Sequence, residues 1–237
     1  MEVSEIKALT FDVFGTVVEW RDSLIREGER LGRSKGIDAD WGRFADEWRK
    51  RYRPALNKVR RGEMPWTKLD VLHRMNLDEV LEAFGVTGLG EEEIEDLNRA
   101  WERLDPWPDS VEGLKRLKSR FIIAAMSNGN VSLMVNLARY AGLPWDMVLG
   151  SELARHFKPD PKVYRTGADL LGLRPEQCMM VAAHNYDLIA ASKCGFRTAF
   201  VYRREERRPG ETKDLEPEGD YDFVAESLID LADQLGC

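Results

Sequence analysis

The 237-residue chain has no run of about 18 apolar residues, so no segment reads as a membrane-spanning helix. Its N-terminus lacks the basic stretch, apolar run and small-residue cleavage site of a secretory signal, which leaves the cytoplasm as the expected compartment. Cysteine is scarce. Cys178, Cys194 and Cys237 are odd in number and unpatterned in spacing, which argues against a disulfide framework or a zinc site. Basic charge is not in excess either: 35 Lys and Arg stand against 42 Asp and Glu, a formal net charge of −7 that speaks against a nucleic-acid binder. One basic stretch, from Arg49 to Arg61, runs against this balance, and most of its members read as a solvated helix face. No internal repeat is present. What remains is a soluble protein, with no sign of a membrane or general nucleic-acid partner.

The apolar residues that are present, 43% of the chain, are arranged informatively. Short, nearly continuous apolar runs recur at Ile6 to Phe11, Phe121 to Met126, Met147 to Leu149, Cys178 to Ala182 and Arg197 to Val201, the pattern of parallel strands covered on both faces. Helical segments with readable ends lie between them. Asp160 and Pro161 suit an N-cap and first turn, with Tyr164, Ala168 and Leu171 on one face and Gly172 at the C-cap. Val131, Met134, Leu137, Ala138 and Ala141 form a second stripe, closed by Gly142. Strand and helix alternate, which predicts an α/β fold with a doubly wound, Rossmann-like parallel sheet.

The interval 17–106 breaks the alternation. It has no convincing strand, carries amphipathic patterns such as Trp41, Phe44, Ala45 and Trp48, and holds five of the seven tryptophans, so it predicts an all-helical insert with its own core. The boundaries are then 1–16 and 107–237 for the core domain and 17–106 for a helical cap domain over the strand ends. The charged segment from Arg203 to Asp220 reads as a solvated loop, followed by a short strand and helix.

Four segments fall at the expected strand ends, in order: Phe11-Asp12-Val13-Phe14-Gly15-Thr16, Met126-Ser127-Asn128-Gly129, Lys158-Pro159-Asp160, and Val181-Ala182-Ala183-His184-Asn185-Tyr186-Asp187. Asp12 is the candidate reactive group, because a carboxylate at a buried strand end is costly to desolvate and becomes a useful nucleophile once held in line with an electrophilic carbon. Thr16 is placed to hydrogen-bond it. Ser127 and Asn128 offer a hydroxyl and an amide to a substrate carboxylate at the following helix N-terminus. Lys158 can neutralise both nucleophile and substrate, and Asp187 can hold Lys158 and position a water.

Taken together, these segments resemble the haloacid dehalogenase superfamily over nearly the whole chain. Phe14, the Trp48-Arg49 pair and Tyr164, six residues after Lys158, resemble its L-2-haloacid dehalogenase branch, type II. The resemblance implies a hydrolase that displaces halide from a small 2-haloalkanoic acid, forms an ester on Asp12 and releases the 2-hydroxy acid. It implies no cofactor and no metal site, and a homodimer. By the same resemblance Arg49 receives the departing halide, Tyr164 supports the lysine or the substrate, and Val13 and Phe14 border the substrate. Phosphatases of the superfamily carry a second Asp at the position of Phe14, and phenylalanine cannot supply the proton that a leaving alcohol needs. A halide needs none.

The last segment departs from the branch. Ala182 and His184 stand where a serine and an asparagine flank the hydrolytic water. Several readings of His184 remain open: an imidazole titrating near neutrality that activates the water, a side chain that narrows the pocket toward a smaller acid, a change that weakens activity on haloacids, or a satisfied structural residue. The alternatives to the dehalogenase reading are a phosphatase of the same superfamily and a non-catalytic binding protein on its scaffold.

Overall fold

The structure is a computed structural model, and residues 5–206 and 213–237 are described. Strand β1 (Ala8–Phe11) is followed by β2 (Val18–Glu19) and the helices α1 (Arg21–Lys35), α2 (Trp41–Arg60), α3 (Leu69–Ala83) and α4 (Glu91–Asn98), after which β3 (Asp105–Pro106) returns the chain to the sheet. Then come α5 (Ser110–Lys118), β4 (Ile122–Ser127), α6 (Val131–Ala141), β5 (Met147–Gly150), α7 (Ser151–Ala154), α8 (Pro161–Leu170), β6 (Cys178–Ala182), α9 (Asn185–Lys193), β7 (Arg197–Val201), β8 (Phe223–Ala225) and α10 (Leu228–Gln234).

Six strands form one parallel sheet in the order β5-β4-β1-β6-β7-β8. The chain leaves β1 toward β4 and β5 and later crosses back to β6, so the strand order reverses on either side of β1. That is the switch point at which doubly wound folds open a crevice beyond the strand ends, and Asp12 is the first residue past β1. Alternate residues of the strands feed two apolar layers. Leu9, Phe11, Ile123, Met179 and Val181 belong to one, and Ala8, Met126, Cys178, Met180 and Phe200 to the other. Burial on both faces explains why the strands are apolar throughout rather than alternating.

The expected helix ends are present. Asp160 accepts from the Lys162 amide as N-cap of α8, with Pro161 in its first turn, and Gly142 closes α6 in the left-handed conformation. The interval after Asp12 is helical apart from one feature that its sequence did not signal. Val18 and Glu19 pair antiparallel with Pro106 and Asp105, two residues a side, and tie the two ends of the helical insert together. Too short to show a period, this ribbon carries no apolar pattern of its own. The core of the insert is aromatic, with Trp41, Phe44 and Trp48 buried along α2 at helical spacing. Trp48 also stands edge-on to Trp101 at 5.5 Å and donates its indole N–H to the His73 carbonyl.

The segment 203–220 departs from the solvated-loop reading at two described positions, while 207–212 lies outside the described residues. Arg203 and Asp214 are buried. Arg203 donates to the Thr16 carbonyl and to Asp109, and Asp214 accepts from the Asn185 backbone and side-chain amides. Most of the other described charges of this segment, among them Arg204, Glu205, Glu218 and Asp220, are exposed as the sequence suggests, so the correction applies to Arg203 and Asp214.

Candidate active site

Asp12 is buried, and three side chains donate to its carboxylate. Oδ1 accepts from Lys158 Nζ at 2.8 Å, and Oδ2 accepts from Thr16 Oγ1 at 2.8 Å and faces His184 Nδ1 at 2.8 Å. Burial raises the cost of the charge, but Lys158 and then His184 more than offset it and hold the carboxyl well below the usual range. Gly15 turns the chain just beyond at φ 87°, and a Cβ there would collide with the Glu206 carboxylate.

Lys158 is buried and lies between two carboxylates, with its ammonium 2.8 Å from Asp12 and 2.5 Å from Asp187 Oδ2. Desolvation would lower its pKa, yet Asp12 and Asp187 reverse the direction and raise it. The positive charge binding the two acids is thus the protein's own. Tyr164 donates to the other oxygen of Asp187 at 2.5 Å, so this tyrosine holds the second acid and only through it the lysine. Burial, followed by repulsion from Asp12, leaves Asp187 more basic than an ordinary aspartate despite its donors. One carboxylate is kept ionised and the other is made a better proton acceptor, the division of labour a nucleophile and a base require.

Asn128 is oriented from below. Its carbonyl accepts from Ser151 Oγ at 2.7 Å and the Lys158 amide at 2.8 Å, which turns its NH2 toward the cavity and Tyr52. Ser127 is fully buried, and its hydroxyl accepts from the Gly129 amide. At the N-terminus of α6 the Val131 amide donates to Glu152 at 2.7 Å.

A cavity of about 700 Å³ lies between α2 and these strand ends, with Arg49, Tyr52, Asn128, His184, Tyr186 and Glu206 among its walls. The Arg49 guanidinium carbon sits 4.4 Å from the Tyr52 ring centre, 5.4 Å from Trp20 and 5.9 Å from Trp101, and Nη1 is buried without a hydrogen-bond partner among the described residues. A caged cationic donor with an unused N–H can receive an anion. Arg60 leaves the solvated face read for its stretch, for it reaches the Lys158 carbonyl and ties α2 to the lysine. Val13 and Phe14 are buried but do not line the cavity. Phe14 packs edge-on against Trp101 at 5.6 Å, joining the sheet to the helical insert.

His184 departs from the near-neutral imidazole considered above. Nδ1 faces Asp12, and Nε2 lies 3.2 Å from Glu206 Oε2. Desolvation lowers its pKa, but the charges and hydrogen bonds of Glu206 and Asp12 prevail and push it up to about 10, so the ring is an imidazolium at neutral pH. Glu206 itself escaped the sequence reading. It accepts from Trp20 Nε1 at 3.2 Å, and nothing in a charged loop distinguished it. Tyr52 was legible in principle, one helical turn from Arg49 on α2.

A buried carboxylate and lysine at the switch point of a parallel sheet, beside an inserted helical segment, is an arrangement that suits a hydrolase built on an α/β fold. The haloacid dehalogenase-like hydrolase model matches residues 6–195. The solved structure of an L-2-haloacid dehalogenase is 46% identical and superposes with a TM-score of 0.94, covering 98% of this chain and 99% of its own. That of a defluorinating L-2-haloacid dehalogenase is 42% identical with a TM-score of 0.95, covering 98% and 96%. The (S)-2-haloacid dehalogenase 4A of Burkholderia cepacia is 26% identical over 213 residues, 85% of each chain. The chain belongs to the haloacid dehalogenase-like hydrolases, and within them to the L-2-haloacid dehalogenase branch.

Proposed function

We propose that this protein hydrolyses the carbon–halogen bond of a small 2-haloalkanoic acid to halide and the 2-hydroxy acid through an ester on Asp12. The observation that carries the reading is the ionised, buried Asp12 carboxylate with Phe14, not an acid, two residues on. An Asp12 oxygen attacks C2 from the side opposite the halogen, forms the C–O bond and expels halide with inversion. Arg49, caged with an unpartnered N–H, receives the anion. The NH2 of Asn128 and the hydroxyl of Ser127 hold the substrate carboxylate, Lys158 reduces its repulsion from Asp12, and Val13 and Phe14, buried outside the cavity lining, back the site without touching the substrate. Water then cleaves the ester at the Asp12 carbonyl, with Asp187, held by Tyr164, taking its proton.

In this reading residues 17–106 form the cap domain that closes the site, and residues 1–16 and 107–237 form the core domain. The enzyme works without a metal, as a cytoplasmic homodimer. Halide release from chloroacetate, fluoroacetate and each enantiomer of 2-chloropropionate tests the reading, beside p-nitrophenyl phosphate with and without magnesium. Halide from at least one acid is expected. No halide from any, together with magnesium-dependent phosphate release, would overturn it.

A further inference from the structure

The two oxygens of Asp12 are held unequally. Among the described residues Oδ1 has the single donor Lys158, whereas Oδ2 has Thr16 and His184, each at 2.8 Å. Thr16 Oγ1 accepts the Ala183 amide at 3.0 Å, and an amide can only donate, so the hydroxyl proton is committed to Oδ2. His184 faces a carboxylate with each ring nitrogen, and ionised carboxylates only accept, so both nitrogens carry protons. With fewer donors, Oδ1 is the better nucleophile. Once it bonds to C2, Oδ2 is the ester carbonyl oxygen.

We infer that Thr16 and His184 form the oxyanion hole of ester hydrolysis, and that Glu206 is a positioning residue that keeps His184 donating from both nitrogens; this rests on the aspartyl-ester reading above. Water forms a new C–O bond at the Asp12 carbonyl carbon and gives one proton to Asp187. The electron pair of the carbonyl moves to Oδ2, where a hydroxyl and a cationic N–H already point. Collapse breaks the bond from that carbon to Oδ1, which departs with the hydroxy acid. The second water proton reaches Oδ1 through the Lys158 ammonium beside it, and the water oxygen stays in Asp12.

Glu206 matters most in this half-reaction. In the resting site His184 has two anionic partners, but esterification removes the charge of Asp12 and leaves Glu206 alone to retain the proton. Burial opposes that proton, and Glu206 is the largest influence in its favour. Among the described residues the other ionisable groups near His184 are Tyr186, its ring 5.8 Å away, and Lys158 and Asp187 beyond Asp12. Across the cavity stand Arg49, Arg53, Lys213 and Asp214.

Rapid-quench chloroacetate turnover of the full chain, with the Asp12 ester followed by mass spectrometry between about pH 6 and 10, tests the inference on wild type, Glu206→Gln and Glu206→Asp. In Glu206→Gln, halide should burst to one equivalent and the ester should persist, its hydrolysis slowed about 10–100-fold at high pH and recovering as pH falls. Glu206→Asp should restore most of the rate, with alkylation little changed in both. Hydrolysis that instead rises with pH through the imidazole range in Glu206→Gln would make His184 a base, and an unchanged profile would remove Glu206 from the step. Either overturns the inference. Nitrogen NMR of the His184 ring reads its protonation without turnover: it should stay cationic past neutrality in wild type and titrate lower in Glu206→Gln, and a neutral wild-type ring would overturn the inference. Wild type that releases no halide would count against the aspartyl-ester reading, while the ring titration would still decide the protonation of His184.

Discussion

The two sides of the Asp12 carboxylate are built by different means. On the Oδ1 side, Lys158, Asp187 and Tyr164 form a buried chain of hydrogen bonds, 2.8, 2.5 and 2.5 Å long, contributed by strand ends and by α8 and α9 of the core. On the Oδ2 side, His184 hangs between Asp12 and a glutamate that arrives from the loop beyond β7, itself held by Trp20 at the start of the helical insert. The lysine side neutralises charge inside rigid structure. The histidine side places a cation at the border of core, loop and cap, where each partner can change separately.

The largest expected effects break the lysine side. Lys158→Met would leave two buried carboxylates facing each other, and loss of one partner of a buried ion pair costs about 3–5 kcal/mol. Turnover should fall by at least ~10³, and the melting temperature should rise as pH drops from 7.5 toward about 5, because protonation relieves the repulsion. A variant that melts like wild type at neutral pH would mean that the lysine does not hold the pair. Asp12→Asn should abolish halide release from chloroacetate while leaving the fold intact by circular dichroism, and residual turnover above a hundredth of wild type would remove Asp12 as nucleophile.

The histidine side should respond more gently. His184→Asn keeps a polar side chain, so turnover should drop only about tenfold, the size of one lost charged donor. Its sharper signature is in stability. The folded-state pKa of His184 lies above the unfolded one, so its contribution is complete below about pH 6.5 and is lost as pH rises toward about 10. Wild type should therefore lose melting temperature across that window, and His184→Asn should lose less. Equal slopes would show the imidazole to be uncharged in the fold. At the other extreme, Lys50→Ala removes an exposed pair with Glu47 and should shift stability by less than about 0.5 kcal/mol, read by urea unfolding.

The same asymmetry governs what the sequence made legible. Strands covered on both faces are apolar throughout, so β1, β4 and β6 stood out, and each delivered its acid, hydroxyl or amide at or just past its end. Asp12 and Asp187 were readable because strand periodicity sets where a parallel strand stops, and Lys158 because it stands just before the Asp160-Pro161 start of α8. Glu206 was not, since a glutamate among charged neighbours looks the same whether hydrated or folded inward, and only tertiary contact with His184 and Trp20 separates the two cases. Arg60 was hidden for a related reason. Its place in a basic run was visible, but its reach to the Lys158 carbonyl depends on how α2 lies across the sheet. The β2–β3 ribbon is two residues a side and has no period to detect.

The most direct test of Asp12 as covalent nucleophile is a single turnover of chloroacetate by excess enzyme in heavy-oxygen water, followed by mass analysis of the Asp12 peptide and of the glycolate. The heavy atom should enter the Asp12 carboxylate, with the first glycolate carrying the light oxygen that the aspartate held before. Heavy oxygen in the first glycolate and none in Asp12 would mean that water attacks C2 directly, and would contradict the account.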